Sequence, residues 1–262
     1  MYIIDFENVN VGYDSKLILQ DINLKIKEKE NWVILGANGS GKSTLLKIIQ
    51  SEIHPRRDKP FKKEILGKEI YSLFDLRKEL GIITNDLHNY FVREAGYLSG
   101  FEVLLSGYYS SIGIFTYQDF TNEQIAKVNE ILNFLEIEDL KDKKVSQMST
   151  GQLRKFIIGR ALIHQPKAFI LDEPTVGLDI KAQINFIKIL RKLSQTASII
   201  LVTHHLEEIF EEIENVALIY NNTIYKCGHK KDILTSENLS EIFDTNLIMK
   251  EVNNRYFIEQ IL

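Results

Sequence analysis

Between Leu17 and Lys27 apolar and polar side chains alternate, with Ile22, Leu24 and Ile26 on one face. That two-residue period predicts a half-buried strand. The stretch Tyr2 to Phe6 supplies a second candidate, so an antiparallel N-terminal sheet is expected. Further on, short apolar runs are each followed by a helical pattern: Trp32 to Leu35 then Lys42 to Gln50, Ala168 to Leu171 then Ile180 to Leu193, and Ser198 to Val202 then His205 to Ile213. Strands alternating with helices imply a parallel sheet covered on both faces. Thr121-Asn-Glu-Gln124 has the form of a capping box. It opens a helix whose apolar face includes Ile125, Val128, Ile131, Leu132 and Leu135, within a helical insertion from about Asp86 to Gln165. Beyond Tyr220 a short hairpin through Ile224 and Tyr225 is expected, then amphipathic pieces to Leu262.

Composition narrows this picture. With 262 residues, 44% hydrophobic and 26% charged, the chain can bury a core without staples, and one large domain is the default. Uninterrupted apolar runs such as Ile199 to Val202 fall far below the ~20 residues of a membrane-spanning helix. The start, Met-Tyr-Ile-Ile-Asp-Phe-Glu, lacks the basic opening and apolar stretch of a signal peptide. A cytoplasmic location follows, with any membrane role exercised through a partner. Lys and Arg number 32 against 36 Asp and Glu, a net charge of −4, which argues against a nucleic-acid coat. Arg56, Arg57, Lys59, Lys62 and Lys63 are read as a solvated loop. The single Cys227 excludes an internal disulfide and a Cys-rich zinc site; it is read as partly buried near a strand end.

Candidate chemistry enters with Gly36-Ala-Asn38-Gly39-Ser-Gly41-Lys42-Ser43-Thr44, which fits G-x-x-x-x-G-K-[ST] and follows an apolar strand into a helical pattern. Glycines let the backbone wrap a pyrophosphate so that successive N–H groups and a helix N-terminus face the anion. Lys42 would reach the β- and γ-phosphates and Ser43 would offer a hydroxyl to Mg²⁺. Ala168-Phe-Ile-Leu-Asp172-Glu173-Pro174 delivers Asp172 at a strand end for the magnesium shell. Glu173, one step beyond, can polarise a water for in-line attack.

With these two segments and Val145-Ser-Gln-Met148-Ser149-Thr150-Gly151-Gln152 in order, the chain resembles a nucleotide-binding subunit of the ABC ATPase family over nearly its whole length. The resemblance implies an α/β P-loop NTPase fold of ABC type: a RecA-like core sheet, an antiparallel β-subdomain and a helical subdomain. It implies one ABC ATPase domain over 1–262, with 1–85 and 166–262 as core and β-subdomain and about 86–165 as helical subdomain. It assigns Tyr13 to adenine stacking, Val176-Gly-Leu-Asp179 to the D-loop and His204 in Leu-Val-Thr-His to the switch histidine. Met148-Ser-Thr-Gly-Gln departs slightly from the common Leu-Ser-Gly-Gly-Gln. Ser149, Gly151 and Gln152 would serve the γ-phosphate of an opposite subunit, so one chain makes half a site. A second copy of the chain, or a paralogous ATPase subunit, would complete two sites head to tail.

The family's Q-loop glutamine aligns best with Asn85 in Leu80-Gly-Ile-Ile-Thr-Asn85-Asp86. Asn85, one methylene shorter, is the candidate for a role at the metal and the attacking water, and Asp86 is the alternative. The resemblance also implies an integral membrane permease as partner, docked after the Q-loop, and a peripheral site at the inner face of the cell membrane. That stretch holds Tyr90, Phe91, Tyr97, Phe101, Tyr108, Tyr109, Phe115, Tyr117 and Phe120, about half of them expected in the core. Gly107 to Phe120 looks similar to stand-alone ATP-binding proteins of molybdate and iron-chelate uptake, and an importer is favoured. The competing reading is a soluble, ATP-switched regulatory or repair ATPase without a permease. A generic P-loop kinase would lack the signature segment. ATP and Mg²⁺ are the implied cofactors, and no nucleic-acid partner is expected.

Overall fold

Residues 1–13 and 16–261 are described by the computed structural model, Tyr13 and Ile261 by their backbone alone. The strands run β1 Tyr2–Tyr13, β2 Lys16–Lys27, β3 Trp32–Leu35, β4 Lys62–Ile65, β5 Leu80–Ile83, β6 Ala168–Asp172, β7 Ser198–Thr203, β8 Asn215–Tyr220, β9 Thr223–His229, β10 Leu247–Val252 and β11 Arg255–Ile261. The helices are α1 Lys42–Ile49, α2 Leu73–Glu79, α3 Asn85–Glu94, α4 Gly100–Leu105, α5 Asn122–Phe134, α6 Thr150–Leu162, α7 Ile180–Leu193, α8 Lys230–Ile233 and α9 Ser236–Ile242. The chain forms two compact units, one of 1–73 with 193–262 and one of 74–192.

In the first unit the expected antiparallel pair β1–β2 is present, with Ile22, Leu24 and Ile26 at most 2% exposed. β4 adds to the other edge of β1, Ile4 facing Ile65. This corrects the solvated-loop reading for two of its five basic residues. Lys62 pairs with the buried Asp5 at 2.6 Å, and Lys63 is buried with its ammonium donating to Ser51 Oγ at 3.0 Å. The strand period puts Lys63 and Ile65 on one face, and burial holds the Lys63 pKa below its ordinary value.

A second sheet in this unit runs β7-β3-β8-β9. β3 is parallel to both β7 and β8, and β9 returns antiparallel. Leu35, the last residue of β3, faces Thr203 of β7 and Leu218 of β8, so β3 and β7 end level while β8 runs two residues further. Asn221 and Asn222, both at positive φ, form the two-residue turn into β9, as right-handed strand twist favours. Asn253 and Asn254 repeat the device between β10 and β11, where the amphipathic reading expected no hairpin. Cys227 lies near the end of β9, two residues before His229, but is exposed and not partly buried. The helix expected over His205 to Ile213 is one 3₁₀ turn, Leu206–Glu208. Like charges at i,i+4, Glu207 with Glu211 and Glu208 with Glu212, oppose a longer helix.

In the second unit β5 and β6 are parallel, with Ile83 facing Leu171. The Thr121 capping box forms as expected, Thr121 Oγ1 accepting from the Gln124 amide and Gln124 Oε1 from the Thr121 amide. Val128, Ile131, Leu132 and Leu135 are buried along α5, while Ile125 is exposed. α4 crosses α6 closely, Gly100 lying directly against the ring of the fully buried Phe156.

Candidate active site

Gly36 to Gly41 leave the end of β3 and enter α1. Gly39 and Gly41 have φ of 82° and 106°, a region open to glycine and strained for other residues. At Gly36 a side chain would meet the Ile219 carbonyl at 2.6 Å, so this backbone can turn only without a Cβ. Lys42, 6% exposed, donates from Nζ to the Gly36 and Ala37 carbonyls at 2.7 and 2.9 Å. Its positive charge is thereby anchored inside the loop. Asn38, Gly39 and Ser43 are exposed, and Thr44 is partly so. Because Leu35 and Thr203 are parallel partners, Gly36 and His204 emerge side by side. The His204 ring stands 3.9 Å from that of His205, and Thr203 Oγ1 accepts from the His205 amide. The proposed adenine-stacking side chain of Tyr13 lies outside the described residues.

The second unit brings together another group of the expected residues. Ile83 and Leu171 are partners, so Asn85 and the Asp172-Glu173 pair leave adjacent strand ends. Thr84 caps α3, its Oγ1 accepting from the Leu87 amide at 3.1 Å, which puts Asn85 at the first helical position. Glu173 has φ 46°, an uncommon conformation for a residue with a side chain. Ser149 caps α6 in a reciprocal box: Ser149 Oγ accepts from the Gln152 amide, and Gln152 Oε1 accepts from the Ser149 amide and from Lys143 Nζ. Ser149 is exposed, and Thr150 and Gly151 behind it are partly so. Gly151 admits Ala182 and Leu178 close by, a packing reason for glycine there. Asp179 Oδ1 accepts from the Ala182 amide at 2.8 Å. That bond gives Asp179 a helix-capping role on α7.

One residue here escaped the sequence reading. Arg154, 5% exposed, donates to the Glu173 carbonyl, the Val176 carbonyl and Asn85 Oδ1. The available signal was an arginine at i against Ile157 and Ile158 at i+3 and i+4 on the buried face of a helix. His88 of α3 sits beside this cluster; burial first, and then the Arg154 charge, holds its pKa below the ordinary imidazole value.

The sequence profile described as ABC transporter matches residues 19–176, a span that contains the glycine loop, the Ser149 segment and the Asp172-Glu173 pair. The chain belongs to the ABC transporter ATP-binding family. It is 32% identical to the ABC transporter ATP-binding protein YlmA of Bacillus subtilis, across 98% of this chain and 96% of that one. Among solved structures it is similar to a metal-chelate type ABC transporter in an inward-facing conformation, with TM-score 0.80, 24% identity and coverage of 100% of this chain and 98% of the other. It is also similar to cbiO1 of Clostridium perfringens, described as part of the transporter complex cbiONQ, with TM-score 0.74, 28% identity and coverage of 91% and 92%.

Like the rest of its family, this ABC ATPase has the P-loop NTPase fold and hydrolyses ATP; the family's work is energy coupling in ATP-driven transport. Its own residues fit the nucleotide. The loop that a Cβ would fill, the buried Lys42 ammonium and the outward Ser43 hydroxyl suit a triphosphate. Ser43 in the first unit offers a hydroxyl and Asp172 in the second a carboxylate, each by itself a hard oxygen donor of the kind Mg²⁺ prefers. Among the described residues no helix is long and apolar enough to cross a membrane.

Proposed function

We propose that this protein is the ATP-hydrolysing subunit that drives a membrane permease, working as a head-to-tail pair around two Mg-ATP. The observation that carries the reading is the glycine loop of 36–44, with Lys42 buried against its carbonyls. In this reading Lys42 turns its ammonium from those carbonyls to the β- and γ-phosphate oxygens. Loop amides and the α1 N-terminus supply further donors to the same oxygens. Gly36, Asn38, Gly39, Gly41 and Thr44 shape that cradle, and Tyr13 stacks on the base. Ser43, Asp172 and Asn85 would hold Mg²⁺, which would neutralise charge on the phosphates. The Glu173 carboxylate accepts a hydrogen bond from the attacking water and takes its proton as the water oxygen bonds to the γ-phosphorus and the bond from that phosphorus to the β,γ-bridging oxygen breaks, with ADP as the leaving group. His204 stands at the γ-phosphate side. Asn85 Oδ1 keeps a second lone pair beyond the one used by Arg154, so both roles are compatible.

Ser149 Oγ already accepts from the Gln152 amide, which leaves its proton to donate across to the opposite subunit's γ-phosphate, beside Gly151 and Gln152. Asp179 follows the segment that lines that junction. The domain division is a single ABC ATPase domain, with 1–85 and 166–262 as core and β-subdomain and about 86–165 as helical subdomain. The protein works at the cytoplasmic face of the membrane, held there by its permease. Support for that partner comes from Tyr90, Tyr97, Tyr109, Phe115 and Tyr117, exposed by 38–74%, with Phe115 and Tyr117 stacked at 5.7 Å. Exposed aromatics of this kind are typical of interfaces.

Ser149→Arg tests the shared site. Expected are retained ATP binding and lost hydrolysis, with activity returning when this chain is mixed with Lys42→Ala, since one mixed site is then intact. Full hydrolysis by Ser149→Arg alone would overturn the shared-site reading. Copurification of an integral membrane protein with the tagged chain tests the permease, and recovery of the chain from the soluble fraction with no membrane protein favours the soluble alternative.

A further inference from the structure

Arg154 sits in the second turn of α6, five residues beyond the Ser149 cap, and is 5% exposed. Its guanidinium divides its donors among three segments of the chain. Nη1 donates to the Glu173 carbonyl at 3.0 Å, and Nη2 donates to the Val176 carbonyl and to Asn85 Oδ1, both at 2.8 Å. Such a planar fork meets several acceptors in fixed directions, which a lysine ammonium on its flexible stem does less well. Two of the three acceptors belong to residues flanking the hydrolytic chemistry. The Glu173 peptide is held at φ 46°, away from the conformation an L-residue prefers, and a donor fixed on its carbonyl opposes relaxation. α3, which begins at Asn85, also packs on α6.

We infer that Arg154 is a positioning residue for ATP hydrolysis, clamping the Glu173 peptide and the Asn85 amide to the signature helix. Resting on the reading of Glu173 as the base, the clamp ties the carboxylate that takes the water's proton to the helix that presents Ser149. Movement of α6 when Ser149 meets a nucleotide of the opposite subunit is then passed directly to Glu173 and Asn85. Hydrolysis becomes contingent on that encounter, while nucleotide binding at Lys42 does not.

The test uses the full chain with Arg154→Lys and Arg154→Gln, measuring steady-state Mg-ATP hydrolysis per bound nucleotide, with binding sites counted by a fluorescent ATP analogue. Expected are an unchanged site count, KM within about twofold, and kcat lower by ~10-fold in Arg154→Lys and ~10²-fold in Arg154→Gln, the scale of ~1 Å misplacement. In a Glu173→Gln background Arg154→Gln should add little further loss, and with Asn85→Ala the two losses should be less than multiplicative. A kcat within twofold of wild type in both Arg154 variants would overturn the clamp. So would losses that multiply fully on Glu173→Gln. Should Arg154→Gln fail to fold, the KM and kcat of Arg154→Lys decide by the same criteria. Glu173→Gln hydrolysing at the wild-type rate would instead remove Glu173 as base and the clamp with it, a result visible without any change at Arg154.

Discussion

Glu173→Gly separates the backbone of the proposed base from its carboxylate. At φ 46° a residue with a Cβ carries roughly 1–2 kcal/mol of steric cost that glycine escapes. Glycine, in turn, loses about 0.5–1 kcal/mol more conformational entropy on folding. The difference makes Glu173→Gly between even and ~1.5 kcal/mol more stable than Glu173→Gln, which keeps the strained backbone and loses only the charge. At ~2–4 °C per kcal/mol for a chain of this size, its Tm should lie up to ~6 °C above that of Glu173→Gln. Both variants should lose hydrolysis by ~10²-fold or more. Thermal unfolding without nucleotide and Mg-ATP hydrolysis, measured on the same preparations, give the two readings. A Tm for Glu173→Gly more than ~2 °C below that of Glu173→Gln would refute the argument that the folded chain holds this residue under strain.

Two further outcomes follow from the second unit. Burial first of all, with nearby positive charge adding to it, holds the pKa of both His88 and His164 below the ordinary imidazole value. Below about pH 6.5 the unfolded chain therefore takes up protons that the folded chain refuses. Tm should fall as pH drops from ~7 toward 5, and His88→Gln with His164→Gln should flatten that slope; an unchanged slope would clear both histidines. Gly100→Ala drives a methyl into the buried Phe156 ring and should cost ~1–3 kcal/mol by overpacking. A wild-type Tm would contradict the close crossing of α4 and α6.

The features most legible in the sequence were those fixed by local rules. Alternation around Ile22, Leu24 and Ile26 marked β2, and Thr121 with Gln124 marked the start of α5, because each pattern satisfies its own backbone or buries its own face. The glycine loop and the Asp172-Glu173 pair were equally plain, since their chemistry dictates residue type at fixed spacing. Long-range pairing was not legible. β4 exists because Asp5 and Ser51 receive Lys62 and Lys63, partners more than ten residues away in sequence. The pattern of Leu206, Ile209, Phe210 and Ile213 fits a helix, yet glutamate repulsion left one short turn. The role of Arg154 depends on acceptors 19, 22 and 69 residues away, and only its oddity on an apolar helix face pointed to it. Asn253-Asn254 did carry a hairpin signal, since asparagine tolerates positive φ, and β10 and β11 follow from it.

The proposed ATP hydrolysis needs one loop that binds phosphate and one carboxylate that takes the water's proton. Equilibrium Mg-ATP binding and single-turnover hydrolysis on wild type, Lys42→Ala and Glu173→Gln measure both. Lys42→Ala should weaken binding by at least ~10-fold, the loss of a charge-assisted hydrogen bond. Glu173→Gln should bind as wild type does and hydrolyse at least ~10²-fold more slowly, accumulating an ATP-bound dimer by light scattering. Wild-type affinity in Lys42→Ala, or wild-type turnover in Glu173→Gln, would contradict it.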